Sequence, residues 1–236
     1  MKITYIHHSS FLVETDRLLL LFDYFEGQIP ALPADKELIV FASHRHSDHF
    51  SPVIFELAER HPGIHYVLSD DIWKKRVPAG CLAQTDFIGP GQTLMLNAGD
   101  GVRIKAYKST DEGVAFAIET EGSSIYHAGD LNDWRWIGEP DDWNNTMHAS
   151  YIKELQHMKD DGFRPDVAMV PLDGRLETWF YLGVQEFMEI VGADLILPMH
   201  FWKDYTVIDR LRNLDCSAEY RGRIADIRMS GQTFVS

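Results

Sequence analysis

Residues 38 to 42 read Leu-Ile-Val-Phe-Ala, and after Ser43 the chain continues His44-Arg45-His46-Ser47-Asp48-His49. An unbroken apolar run without alternation is expected of a strand buried on both faces. Three imidazoles and a carboxylate then crowd the loop leaving it. Ser51-Pro52 next supplies a capping residue and a proline suited to the first helical position, so a helix is expected over Val53 to Arg60. A buried strand, a histidine-rich loop and a helix in that order place ligand side chains at the rim of a core, which is the geometry of a metal cradle. On an extended exit His44 and His46 point the same way and can share one ion, while Asp48 and His49 at the turn reach a second. Imidazole and carboxylate suit zinc, manganese or iron(II) at about 2.0–2.2 Å, and no thiolate lies nearby to favour a closed structural zinc site.

The rest of the chain supplies elements to build around that loop. Strands are expected at Ile3 to Ile6, Ser10 to Glu14, Leu18 to Phe22, Val102 to Tyr107, Val114 to Glu119 and Ser123 to His127, the last three separated by glycine-containing turns. Met147, Tyr151, Leu155 and Met158 recur on one helical face between Thr146 and Lys159, and Gly162 marks the end. Strand Val167 to Val170, helix Tyr181 to Val191, strand Leu195 to Leu197 and helix Tyr205 to Leu211 follow. This mixture argues for helices packed on sheet. No repeat or Gly/Ser linker interrupts it, so residues 1–236 read as a single domain.

Composition narrows the partners. A net charge of −14 excludes an ordinary non-specific nucleic-acid binder, which needs clustered Lys and Arg. The start, Met1 to His8, carries no secretory pattern, and the longest apolar runs are too short to cross a bilayer. Cys81 and Cys216 are the only cysteines and form no Cys-x-x-Cys pair, which suits reduced thiols in a cytoplasmic protein.

With the hexapeptide matching H-x-H-x-D-H, the chain resembles the metallo-β-lactamase superfamily. Ile125-Tyr126-His127-Ala128-Gly129-Asp130 is similar to the family's strand ending in Gly-Asp, and Leu197-Pro198-Met199-His200 to the strand carrying its last histidine ligand. Ile6-His7-His8-Ser9-Ser10-Phe11, with Asp23 after the third strand, resembles the branch containing the ascorbate-6-phosphate lactonase and related small hydrolases. The resemblance implies an α/β fold of four layers, an αββα sandwich with the metal site at one edge between two sheets. It also implies metal ligands at His44, His46, Asp48, His49, Asp130 and His200, with Asp130 bridging two ions. The family's further histidine is missing from Lys108-Ser109-Thr110-Asp111-Glu112-Gly113-Val114. Asp111 is the substitute oxygen ligand there, Glu112 a second candidate, and the alternative is that both are ordinary loop acids before Gly113.

The expected chemistry is hydrolysis of a small-molecule substrate by metal-bound hydroxide, with one or two divalent ions, zinc first, then manganese or iron. Asp48, beyond its ligand role, orients the water or passes its proton on. By family branch the substrate is a lactone or similar ester. A small phosphodiester or a metal-binding relative without catalysis is the alternative, and an iron-dependent sulfur dioxygenase shares the signature. A redox di-iron member is disfavoured by His46 and by the lack of a flavin domain. On the substrate side, Arg175 suits a carboxylate or phosphate held bidentately, the other reading being a surface ion pair with Asp173 or Glu177. His7 and His8 face opposite sides, and His8 is the one expected to contact site or substrate. His127 reads as structural, Trp134, Trp136 and Trp179 as packing, the other reading being walls of the metal cleft that the resemblance places beside their loops, and His61, His65, His148 and His157 as helix or loop residues without a role. The family allows a homo-oligomer.

Overall fold

In a computed structural model describing residues 1–236, the apolar runs pair into two sheets. The first contains β1 (Lys2–His7), β2 (Ser10–Glu14), β3 (Leu18–Phe22), β4 (Glu37–Ala42), β5 (Ile64–Ser69) and β6 (Thr85–Ile88). The second contains β7 (Thr93–Leu96), β8 (Val102–Lys108), β9 (Val114–Thr120), β10 (Ser123–His127), β11 (Val167–Pro171) and β12 (Leu195–Met199). A last strand, β13 (Thr233–Val235), returns beside β1, so the orders are β13-β1-β2-β3-β4-β5-β6 and β12-β11-β10-β9-β8-β7.

Period-two alternation explains why the first sheet is buried on both faces. Leu18, Leu20 and Phe22 of β3 turn into the core shared with the second sheet, while Leu19 and Leu21 join a separate cluster on the outer face. Phe41 meets Phe116 edge-on across the two sheets, with ring centroids 5.2 Å apart. The second sheet is covered by α1 (Asp141–Asp160) and α2 (Leu182–Ile190), with Phe187 stacked on Tyr126 at 5.1 Å. A shorter α3 (Thr206–Arg212) buries Val207, Ile208 and Leu211. These are the expected layers, with one difference: the outer cover of the first sheet is 3-10 helix.

The segment expected as a helix over Val53 to Arg60 is a 3-10 helix at Pro52–Glu59, capped by Ser51, whose side chain accepts from Val53 N–H. Pro62 lacks the N–H that would continue it. The helix expected from Thr146 begins earlier, at Asp141 behind Pro140, and Tyr151, Leu155 and Met158 form its buried face as anticipated. Strands β5, β6, β7 and β13 were not anticipated. His65 therefore lies on strand β5, pairing with Asp86, rather than in a helix or loop.

Direction is what assembles the site. β3, β4 and β5 run parallel, and β1 points the same way because two antiparallel pairings separate it from β3. In the second sheet β10, β11 and β12 are also parallel. The carboxyl ends of each parallel set therefore gather at one edge, where open α/β sheets bind ligands.

Candidate metal centre

His8 follows β1, Asp23 follows β3, Ser43 and His44 follow β4, Asp130 follows β10, Asp173 follows β11 and His200 follows β12. His8, Asp23 and His200 leave their strands with positive φ (52°, 44° and 64°), a conformation non-glycine residues rarely hold without compensation. Two glycines let the loops close. A Cβ on Gly113 would lie 2.0 Å from Ser43 O and 2.6 Å from His44 Cβ, and one on Gly129 2.6 Å from Ser43 Cβ. Both residues have positive φ, and the close approach lets Val114 N–H donate to Ser43 O at 2.9 Å.

Two ligand groups result. His44, His46, Asp111 and Asp130 converge with ligand atoms within 4.8 Å of one another, and so do His8, Asp48, His49 and His200. Every residue expected as a ligand falls into one of them, in the division expected of the hexapeptide, with His44 and His46 together and Asp48 and His49 together. Asp130 stands between the groups: its carboxylate lies 3.6 Å from His44 Nε2, 3.2 Å from His49 Nε2 and 3.5 Å from His200 Nε2. Asp111 Oδ2 is 3.5 Å from His46 Nδ1; Glu112, whose Oε1 is held by Arg45, brings Oε2 to 3.5 Å from His46 Nε2, but only Asp111 converges with His44 and Asp130 as well. His8 faces this site with its ring 4.3 Å from that of His200, while His7 turns away to Glu26.

Three of the imidazoles, His44, His49 and His200, are aimed from behind. Asp23, fully buried, accepts from Ser43 N–H (2.7 Å), the Ser43 hydroxyl (2.6 Å) and His49 Nδ1–H (2.7 Å), leaving Nε2 directed at Asp130. With its proton given to Asp23, the Ser43 hydroxyl accepts from His44 Nδ1–H at 3.0 Å. Asp173 accepts from His200 Nδ1–H at 3.0 Å and is gripped in turn by Nε and Nη2 of Arg175. Carboxylates behind imidazoles fix ring orientation and strengthen a ligand. Asp173 was not singled out as part of the site from sequence. Its signal is an acid directly after a continuously apolar strand, in the position Asp130 occupies after β10.

Electrostatics follow the geometry. Burial, with His49 adding to it, pushes His44 down to about 4, and burial pushes His8 down to about 4. Burial would also raise Asp130, but His49, His200 and His44 outweigh it and hold the carboxylate well below its usual range. For His200 the sign reverses: burial opposes the charge, yet Asp130 and Asp173 hold the imidazolium up to about 10.

The donor set fits a cation. His44 Nε2, His49 Nε2, both nitrogens of His8 and Asp130 Oδ1 are buried without a hydrogen-bond partner. Such groups are costly unless something else satisfies them. Five imidazoles and three carboxylates without a thiolate are the ligand chemistry of a divalent transition metal.

The remaining sequence expectations divide. His127 is structural: its Nε2–H donates to Ser9 O at 2.8 Å and its Nδ1 accepts from Gly129 N–H at 3.1 Å. His148 has surroundings the sequence reading missed, since it lies beside Asp133 at 3.0 Å and Glu186 at 3.3 Å, both of which Arg135 also contacts. Trp134 and Trp136 line the cleft over the metal centre, and Trp179 lies near Arg135 instead. Arg175 lines the same cleft and gives Nε and Nη2 to Asp173, which in turn accepts from His200.

Comparison with known proteins agrees with this architecture. A family model described as a beta-lactamase superfamily domain matches residues 2–134. A metal-dependent hydrolase of Methanospirillum hungatei is 27% identical over 230 residues, covering 90% of this chain and 86% of the relative. Among solved structures, a metallo hydrolase from the archaeon Ignicoccus hospitalis superposes with a TM-score of 0.70 at 19% identity, covering 99% of this chain and 97% of that one. A structure from Parabacteroides distasonis, titled a metal-dependent hydrolase, gives a TM-score of 0.64 at 17% identity, covering 96% and 93%. With its parallel strand ends carrying the H-x-H-x-D-H loop, the Gly-Asp strand and the final histidine, the chain belongs to the metallo-β-lactamase superfamily.

Proposed function

We propose that the protein is a hydrolase of a small ester-type substrate, a lactone in the first instance, working with zinc held by His44, His46, Asp111 and Asp130 on one side and Asp48, His49 and His200 on the other. The observation that carries this reading is the set of buried, unpartnered nitrogens and carboxylate oxygen turned toward Asp130. When bound, a divalent cation supplies Lewis acidity and an acidified water at neutral pH. The chain's own groups do the rest. Asp23 and Asp173 hold the His49 and His200 rings in place, and Trp134, whose indole N–H donates to Asp130 O at 2.7 Å, closes one side of the cleft. Asp48, partly exposed in that cleft with Oδ2 3.5 Å from His8 Nε2, keeps its carboxylate charged through that proximity and orients the attacking water by accepting a hydrogen bond from it. Hydrolysis then breaks the bond between the acyl carbon and ring oxygen, adding hydroxyl to the carbon and a proton to the departing oxygen.

The buried, unpaired Cys81 and half-buried Cys216 support a reducing, cytoplasmic setting. The core formed jointly by both sheets supports a single domain over 1–236. A small phosphodiester is the alternative substrate, and the three carboxylates in the cleft weigh against it.

Elemental analysis of protein purified without chelator tests the ligand assignment. Two ions per chain are expected, falling to about one in Asp111→Ala and in His44→Ala. A single ion unaffected by Asp111→Ala would overturn the two-ion assignment. Failure of the zinc-loaded protein to open simple lactones would overturn the substrate.

A further inference from the structure

The cleft above the ligand groups has an unusual wall for a site with three carboxylates in it. Trp134 and Trp136 lie nearly parallel (8°) with ring centroids 6.4 Å apart. Trp143 and Met147, one turn apart on α1, line another part, and Trp202 stands beside His8 with ring centroids 4.0 Å apart. Trp143 and Trp202 remain 39% and 40% exposed, and Trp202 is held there by a backbone with φ of 53°. Exposed aromatics gathered at the mouth of a concave site mark a binding surface. The enclosed volume is about 280 Å³, at the small end for ligand sites.

Charge restricts the occupant further. Asp48, Asp111 and Asp130 contribute to the cleft, and the one cationic side chain in its lining, Arg175, has its Nε and Nη2 taken by Asp173. Its Nη1 still faces the cleft, but the charge of the guanidinium is already matched by Asp173, so a second anion would meet a neutral pair beside three carboxylates. The aromatic faces offer stacking to a flat ring instead.

We propose that the substrate is a small uncharged molecule whose non-reacting part is a planar aromatic group, seated against Trp136, Trp143 and Trp202 with its hydrolysable carbonyl toward Asp130. This rests on the hydrolase reading above and names the substrate class that reading leaves open. It disfavours phosphorylated lactones and phosphodiesters, whose second charge would meet three carboxylates and an Arg175 already paired with Asp173.

Two lactones with the same ring and the same class of leaving alcohol separate the ideas: γ-phenyl-γ-butyrolactone and γ-methyl-γ-butyrolactone, assayed with the zinc-loaded protein. We expect kcat/KM to favour the phenyl compound by about tenfold, through KM, and Trp136→Ala and Trp143→Ala each to reduce that preference toward one. Saturation-transfer NMR with benzamide, an unreactive neutral probe, is expected to show binding to the wild type that weakens in both variants, and none with acetamide. Equal kcat/KM for the two lactones together with no benzamide signal would overturn the aromatic class while leaving the hydrolase standing. No turnover of either lactone, with a benzamide signal that depends on the tryptophans, would overturn lactone hydrolysis and support the aromatic class.

Discussion

Asp23 and Asp173 show how single residues behind a ligand govern it. Each accepts the Nδ1 proton of one imidazole and leaves Nε2 facing Asp130. Asp173→Asn preserves shape but removes the charge, so zinc affinity measured by competition with a chromogenic chelator should fall roughly 10–100-fold with an unchanged far-UV CD spectrum. Glu186 provides a pH-dependent prediction away from the metal centre. Burial, with Asp133 beside it, raises its carboxyl from an ordinary value of 4.5 to about 8. Between those values the folded protein retains a proton that the unfolded chain has released, so this contribution to stability is full below about pH 4.5 and disappears as pH rises through 8. Thermal unfolding from pH 5 to 9 should show the loss in the wild type and a flatter profile in Glu186→Gln.

At the scale of elements, the loop Ser109 to Gly113 and helix α1 carry different kinds of constraint. Gly113 is needed because the loop passes directly over Ser43 and His44, where a side-chain carbon has no room. Gly113→Ala should destabilise the fold by more than about 1 kcal/mol, since both the positive φ and the contact are affected, and should reduce metal content. Both effects are readable by urea denaturation and elemental analysis. Helix α1 is held through Tyr151, Leu155 and Met158, which are buried. Leu155→Ala should cost about 2–5 kcal/mol as a lower urea midpoint with little change in slope. The face of α1 was legible in the sequence because helical periodicity survives partial burial. Its start at Asp141 was not, since the buried residue of the first turn is polar Asn144 and the apolar one, Trp143, is exposed, so no apolar period marks it. Strands β6, β7 and β13 are four, four and three residues long, too short for alternation to stand out, and pairing decides them.

For the whole molecule, metal and fold are expected to be linked, because the ligand groups draw on both sheets. A cation present at 100 times its Kd stabilises the folded state by ~2.7 kcal/mol, so removing it with EDTA should lower Tm by roughly 5–10 °C, reversed by zinc. The chemistry at the hexapeptide is written locally: three imidazoles and a carboxylate after a fully apolar strand are legible because ligand identity and strand burial are local properties. Asp130 and His200 are marked only through the resemblance of their strands to those of the metallo-β-lactamase superfamily, Gly-Asp by itself being a common turn. The pairing of His44 with His46 and of Asp48 with His49 is legible in their spacing, but it takes the folded chain to add Asp111 and Asp130 to the first pair and His8 and His200 to the second, and to turn Arg175 to Asp173. The tryptophan wall is of the same kind, because Trp134, Trp143 and Trp202 come from a loop, a helix and a turn far apart in the chain. Local residues set what each group can bind or donate. The parallel direction of β1, β3 and β4 and of β10, β11 and β12 brings their carboxyl ends to one edge, and that long-range pairing is not written in any short stretch of sequence.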